Sequence, residues 1–363
     1  MPESQNLNSS CTIAVGLSGG VDSSVTAALL KEQGYDVHAF FMKNWNEESE
    51  QCTIRQDWKD AQKVAELLDI PISLVDFSER YWNDVFERFL KTLETGGTPS
   101  PDILCNQYIK FDAFWHYCQN LGFSKMATGH YAAINECNML CQPCDRHKDQ
   151  TYFLWSVNPQ IWSHVLFPLA SYTKQEVRRM AAERGLITAE KHDSTGICFI
   201  GPDRFRSFIK QYLVSQPGQI LSLDGKPLGM HQGLFQYTLG QRSGLGIGGQ
   251  KNAQGLPWYV VLKDLQSNTL YIDQDANHPL LLRSTIRITD TVWQNTQPQE
   301  GDRILVRIRH GQTLQSAVFE SVTDSTAKIV FEQKQRAVTP GQCAVCYDPS
   351  GKCLGGGWIV QDL

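Results

Sequence analysis

A chain of 363 residues, 41% hydrophobic and 20% charged, is long enough for two or three domains and has the balance of a water-soluble globular protein. Its net charge of −5 excludes a globally basic nucleic-acid binder. With no long apolar run and a polar start over residues 1–10, neither a membrane span nor a secretory leader is expected. Eleven cysteines in such a chain suggest reduced thiols in the cytoplasm, some held for chemistry or metal.

The charge is unevenly spread. Residues 1–145 carry 10 Lys+Arg against 20 Asp+Glu, a balance of −10, whereas residues 146–212 carry 10 against 6, a balance of +4. An RNA contact would therefore use the middle and end of the chain.

In chain order, the β-branched run before Leu17 predicts a strand, and Val25 to Gln33, stopped by Gly34, predicts a helix. Between them lies Ser18-Gly19-Gly20-Val21-Asp22-Ser23-Ser24. Backbone N–H groups of such a turn converge with a helix N-terminus on one anion. Glycines without Cβ atoms let that anion come close, and Asp22 is placed to hold magnesium against phosphate oxygens. No Gly-Lys-Ser/Thr follows, so this is not a Walker A loop. Gly16 to Gly20 also satisfies the Gly-x-Ser-x-Gly elbow, which leaves Asp22-Ser23-Ser24 unexplained. Ser-Gly-Gly-x-Asp-Ser resembles the PP-loop of ATP pyrophosphatases, which adenylate a substrate oxygen.

Further strands are expected over residues 36–42, 72–77 and 125–128, alternating with helices over 57–68, 81–93 and 105–121. This order predicts an α/β, doubly wound parallel sheet with its ligand at the strand carboxyl ends, where the PP-loop, Met42 and Gly129 fall. Residues 173–186 read as a helix capped by Thr173 and stopped by Gly185. Beyond about Ser207, short β-type runs predict small β-barrel modules. The expected domains are a PP-loop catalytic domain over 1–207 with a helical segment, a β-rich domain over 208–279 and a barrel-like domain over 280–363. Residues 303–309 read as a half-buried strand showing Arg303, Arg307 and Arg309 on one face. Gly244 to Gly249 satisfies Gly-x-Gly-x-x-Gly, but no helix follows, so a mobile loop is expected instead of a dinucleotide fingerprint.

Cys105 is expected at the entry of the 105–121 helix, where the helix N-terminus would favour a thiolate. Asp102 would cap that helix or accept a proton. Cys198 offers a second thiol in a glycine-containing loop.

These motifs, with Phe41 to Trp45, Pro101 to Asn106, Ala127 to Tyr131, Lys148-Asp149-Gln150, Asp193 to Gly201, Tyr237 to Gly249 and Gly355 to Gly357, resemble the MnmA family of tRNA-uridine 2-sulfurtransferases over nearly the whole chain. The resemblance implies ATP- and magnesium-dependent 2-thiolation of wobble uridine in the tRNAs for Lys, Glu and Gln. Sulfur would come from a cysteine-desulfurase relay, and the chain would act as a monomer. It implies a persulfide on Cys198, with Cys105 as the nucleophile that frees the sulfur or closes a disulfide with Cys198. ATP contacts map to Gly16, Leu17, Ser18, Gly19, Gly20, Val21, Asp22, Ser23, Met42 and Gly129. Contacts to tRNA map to Ser100, Pro101, Asp102, His130, Lys148, Asp149, Gln150, Arg309, His310 and Gln342. Ser100 stands where the family pattern has Asn. An iron–sulfur cluster on Cys105 and Cys198 is the alternative to a persulfide. Cys137, Cys141 and Cys144 lie where the family needs no cysteine. The CxxC pairs Cys141/Cys144 and Cys343/Cys346 are too far apart in sequence for a zinc ribbon. The competing functions are another PP-loop adenylating ligase and a non-catalytic nucleotide-binding module.

Overall fold

The computed structural model describes residues 12–46, 53–192, 205–247, 256–323 and 325–360. Four strands open the chain: β1 (Thr12–Gly16), β2 (Asp36–Lys43), β3 (Ile72–Asp76) and β4 (Lys125–Ala127). A small hairpin of β5 (Ala133–Ile134) and β6 (Leu140–Cys141) follows, then β7 (Val165–Leu166). β3, β2, β1, β4 and β7 form a five-stranded sheet in that order, every neighbouring pair parallel. The chain winds outward from β1 to β3 and then crosses back to β4 on the other side. The strand order therefore reverses between β1 and β4, which is where a doubly wound sheet opens a crevice for its ligand.

Both faces of the sheet are covered, as a parallel sheet requires. Alternation along β1 sends Ile13 and Val15 one way and Ala14 the other. Ile13, Val15, Val37, Ala39 and Phe41 pack against helix α1 (Val21–Glu32), helix α2 (Ile54–Leu67) and the helix Lys174–Glu183. Ala14, Phe40 and Met126 pack on the opposite face with Phe111, Phe114, Trp115 and Trp162. Fully burying one such large side chain contributes about 1.5–3 kcal/mol.

Thr173 caps its helix through a reciprocal capping box with Glu176, and Gly185 beyond the end adopts φ +65°. The helix expected from Cys105 begins earlier. It starts at Pro101, whose fixed φ suits the first turn, becomes π-helical over Cys105–Ala113 and ends at Asn120.

Past the helix Phe205–Ile209 the chain is mostly β. The strands β8 (Gly218–Ser222), β9 (Pro227–His231), β10 (Tyr259–Asp264) and β11 (Thr269–Asp273) make a four-stranded sheet ordered β10-β11-β8-β9. The last six are β12 (Leu282–Trp293), β13 (Arg303–Arg307), β14 (Gln315–Thr323), β15 (Thr326–Arg336), β16 (Cys343–Tyr347) and β17 (Cys353–Val360). They close into a barrel in the order β12-β15-β14-β13-β16-β17. Ile286, Ile304, Val306, Phe319, Ile329 and Cys346 fill its interior.

The barrel's outer face is not all solvent. Cys343, Val345, Tyr347 and Cys353 join the core under the five-stranded sheet. This corrects the reading of β13 as a strand showing three arginines. Arg303 is exposed, but Arg307 is buried against the domain of the five-stranded sheet and Arg309 lies beyond the strand. A surface that packs on another domain follows the same two-residue period as one that meets water, so alternation alone cannot separate them. The Cys343/Cys346 pair has a related lesson. Three residues apart on a strand, the two thiols face opposite sides, one toward the five-stranded sheet's domain and one into the barrel, and cannot share a metal ion. Among the described residues no group of three or more His, Cys, Asp or Glu is placed to hold a metal ion, and no helix is long and apolar enough to cross a membrane.

Candidate active site

The PP-loop leaves β1 at Gly16 and enters α1 at Val21. Gly20 is the N-cap residue, and no side chain caps this end. The first-turn N–H groups of a 12-residue helix are thus left for an anion. Gly19 has φ +74°, and a Cβ there would stand 2.2 Å from the Asp57 carbonyl oxygen. Gly129, at the end of β4, approaches the same turn, where a Cβ would meet the Ser23 nitrogen at 2.7 Å. Met42, at the end of β2, stands close enough that its Cε would lie 3.1 Å from a Cβ on Gly16. Gly16, Gly19 and Gly129 are thus seated against neighbouring protein atoms, which leaves no room for side chains there and fixes the path of the turn.

Hydroxyls line this turn. Ser18 is exposed, and its Oγ lies 3.1 Å from Ser23 Oγ, while Ser23 and Ser24 hydroxyls donate to the Gly20 carbonyl at 3.1 and 2.8 Å. Leu17 and Val21 are core residues that anchor the turn at each side.

Two lysines not foreseen from the sequence hold the loop. Lys174 Nζ donates to both carboxylate oxygens of Asp22, at 2.7 and 2.8 Å, and the Tyr131 hydroxyl donates to Asp22 Oδ1 at 2.9 Å. Lys191 Nζ donates to the Gly19 carbonyl at 2.9 Å, to Asp57 at 2.7 Å and to Asp60 at 2.6 Å. Burial alone would lower the Lys191 ammonium, but Asp57 and Asp60 outweigh it and hold it above the usual lysine value. A capping-box pattern announces the helix that carries Lys174. Nothing local announces its target, because Asp22 is 152 residues away.

Cys105 corrects its sequence reading. Its own N–H bonds back to the Pro101 and Asp102 carbonyls, so it sits one turn inside the helix instead of at the entry. It is 4% exposed and packs with Trp45, Leu104 and Phe208. Ser100 is the N-cap residue without a side-chain cap bond, and Asp102 lies in the first turn and does not cap. Burial pushes the Asp102 carboxyl up, and the nearby Lys110 charge opposes that shift. Asn106, next to Cys105, donates from Nδ2 to the Phe153 carbonyl at 3.0 Å. Cys198, with the rest of 193–204, lies outside the described residues. So does the latter part of the 244–249 glycine run.

His130 follows Gly129 and is buried, with Nδ1 2.8 Å from Thr128 Oγ1 and its ring against Phe111 and Phe167. Burial, reinforced by Lys110, drives its pKa well below the usual histidine value, so the imidazole is neutral.

The segment 145–151 is a turn organised by two aspartates. Asp145 accepts from the N–H groups of His147 at 3.0 Å and Lys148 at 3.2 Å through Oδ1, and from Lys174 N at 2.9 Å through Oδ2. Burial would raise the Asp145 carboxyl, but these N–H groups outweigh it and hold it below the usual range. Asp149 Oδ2 accepts from Gln142 at 2.5 Å and from Arg307 at 3.1 Å, and Oδ1 accepts from Thr151. Its side chain is turned away from solvent, whereas Arg146 and His147 are exposed and Lys148 and Gln150 are half-buried. Gln150 exchanges two bonds with Tyr131, through its Oε1 at 2.8 Å and its N–H at 2.9 Å.

The barrel brings its candidates to the same side. His310 donates to the Asp149 carbonyl at 3.0 Å and its ring lies 4.5 Å from that of Phe153. Gln342 Nε2 donates to the Thr98 carbonyl at 3.0 Å, two residues before Ser100. Arg309 is exposed, with Nη2 on the Arg336 carbonyl at 2.8 Å.

Comparison with known proteins agrees with this architecture. Residues 11–202 match the family described as the tRNA methyl transferase HUP domain, residues 206–274 its PRC-barrel domain, and residues 283–359 the aminomethyltransferase beta-barrel domain. The tRNA-specific 2-thiouridylase MnmA of Streptococcus agalactiae serotype III is 46% identical over 361 residues, covering 98% of this chain and 96% of its own. That of Nitrosomonas europaea is 47% identical over 354 residues, covering 96% and 98%. Among solved structures, the U34-tRNA thiolase NcsA from Methanococcus maripaludis with its [4Fe-4S] cluster is 20% identical and covers 56% of this chain and 65% of its own, at a TM-score of 0.37. A likeness that slight carries no inference. With a PP-loop at the switch point of a parallel sheet, a closed barrel behind it and relatives matching from end to end, the chain belongs to the MnmA family of tRNA-specific 2-thiouridylases.

Proposed function

We propose that this chain replaces oxygen by sulfur at C2 of wobble uridine 34 in the tRNAs for Lys, Glu and Gln. The PP-loop geometry in a chain 46% identical to a 2-thiouridylase over almost its full length supports this reading most directly. Uracil O2 is a poor leaving group. Attack of O2 on the α-phosphorus of ATP breaks the bond to the β-phosphate, releases pyrophosphate and makes AMP the group that departs. The amide-lined turn Ser18 to Ser23, with Gly16, Met42 and Gly129 around it, would stabilise the charge on the phosphates. Asp22 is the acid suited to a magnesium ion, which would draw charge from the phosphate oxygens. Its carboxylate is held by Lys174 and Tyr131, so these partners must yield or share it.

The terminal sulfur of a persulfide on Cys198 would then attack C2 as the C2–O bond to AMP breaks. Cys105 would attack the inner sulfur, leaving the outer one on C2 and closing a Cys105–Cys198 disulfide, which a thiol reductant from the sulfur relay reopens. Asp102, its carboxyl raised by burial, would accept a proton beside Cys105. Ser100, Pro101 and Asp102 would meet the target base. His130, Lys148, Asp149, Gln150, Arg309, His310 and Gln342 would contact tRNA, Asp149 through the turn it shapes. We read the domains as 1–207, 208–279 and 280–363, and the chain as a cytoplasmic monomer served by a desulfurase relay.

The test is mass analysis of nucleosides from tRNA incubated with the protein, ATP, magnesium, a cysteine desulfurase with cysteine as the persulfide donor, and a thiol reductant. Gain of one sulfur for one oxygen at the wobble uridine, lost in Cys198→Ser, is the expected result. Pyrophosphate release with unchanged uridine would instead indicate another adenylating ligase.

A further inference from the structure

Two hydrogen-bonded routes leave the 145–150 turn and end on the same carboxylate. One runs from the Lys148 and His147 amides to Asp145, then to the amide of Lys174, whose Nζ holds both oxygens of Asp22. The other runs from Gln150 through its paired bonds with Tyr131, whose hydroxyl donates to Asp22 Oδ1. Together they close a ring between the turn and the PP-loop. The ring is fastened to the barrel as well, since Arg307 and His310 hold Asp149 in the middle of the turn.

We propose that Asp145 and Tyr131 are positioning residues that couple RNA held on the 147–150 turn to nucleotide held at the PP-loop. The proposal rests on the functional reading above for the identity of both ligands. Its physical basis is that Asp22 cannot keep its full bond to Lys174 and also meet the charge of a magnesium–nucleotide complex. With side chains only 11% and 26% exposed, the Lys174–Asp22 pair is poorly screened by water. Any shift of the turn moves the Asp145 carboxylate, and with it the helix start that carries Lys174. The same shift moves Gln150 and the Tyr131 hydroxyl. RNA and nucleotide therefore bias one shared arrangement, and linkage requires each to change the other's affinity by the same factor. Proximity alone would not establish this; a measured coupling would.

The experiment uses the full chain, a tRNA transcript with uridine at the wobble position, and magnesium with α,β-methylene ATP. Affinity for each probe is measured alone and with the other saturating. The expected result is that each tightens the other by one common factor, in the range of about 5 to 150. In Asp145→Ala/Tyr131→Phe that factor falls to near 1. Tyr131→Phe alone keeps the ring that Lys174 Nζ approaches at 5.8 Å, and it is expected to lower the factor even if Asp145→Ala fails to fold. Independent binding of the two probes in the unaltered protein overturns the coupling, and so does an undiminished factor in both variants. Failure of the unaltered protein to bind one probe at all overturns the functional reading and the coupling with it.

Discussion

Arg307 of β13 places Nη1 3.1 Å from Asp149 Oδ2, with the two side chains 7% and 0% exposed. The pair ties the barrel to the 145–151 turn, and the guanidinium also lies over the Tyr347 ring, its carbon 5.6 Å from the centroid. Removing one partner of such a buried pair strands the other's charge and costs about 3–5 kcal/mol. Arg307→Ala should therefore lower the calorimetric unfolding midpoint, more than Arg303→Ala at the exposed end of the same strand. Asp149→Leu combined with Arg307→Met should recover part of that loss. Equal midpoints for Arg307→Ala and Arg303→Ala would show that the pair contributes nothing.

Gly19 and Gly129 are expected to resist even a methyl group, for different reasons. At Gly19 the backbone has φ +74° and the added Cβ meets a backbone oxygen, so neither strain nor clash can be relieved by a side-chain move. At Gly129 the obstacle is the Ser23 amide itself. Calorimetric titration with magnesium and ATP should show binding lost in Gly19→Ala and Gly129→Ala. Gly122→Ala, where nothing lies within 4 Å of the added atom, serves as the control for general damage, its cost limited to a φ of +89°.

His130 gives a pH dependence with a definite sign. Its folded-state pKa lies well below 6.5, from burial first and the Lys110 charge second. Below about pH 6.5 the unfolded chain binds a proton that the folded chain refuses, so stability falls as pH falls. The slope from this one group approaches about 1.4 kcal/mol per pH unit. His38, His231 and His310 are shifted in the same direction by burial and add to the slope. His130→Gln should flatten the stability curve between pH 7 and 5, measured by denaturant titration. An unchanged slope would mean the imidazole is already protonated in the fold.

Lys110 should govern the acid limb of activity. It lowers the carboxyl of Asp102, which burial raises. Lys110→Met removes the opposing charge, so Asp102 should stay protonated to higher pH and the acid limb of kcat/KM should move upward. Lys110→Arg should leave that limb in place. A limb that does not move in Lys110→Met would remove Asp102 as the titrating group.

Much of the catalytic half was legible because its signals are local. Glycine followed by a helix start, a capping box at Thr173 and strand runs separated by helical periods each depend on a few neighbouring residues. The same alternation predicted a doubly wound parallel sheet, while the strand order itself was decided by the tertiary structure. The position of Cys105 was misread by one turn because the helix start was assigned to the thiol instead of to Pro101. That proline is itself a local signal for the first turn.

Residues 12–24, read alone, determined that a glycine turn joins the first strand to a helix, because backbone conformation in such a turn answers to adjacent side chains. Only the tertiary structure decided what holds that turn. Lys174, Tyr131 and Lys191 reach it from 109 to 172 residues away. It also decided that Arg307 turns toward a buried aspartate and that Cys343 and Cys346 part to opposite faces. An ion pair across folded distances leaves no periodicity behind, since its geometry is set by how whole domains pack.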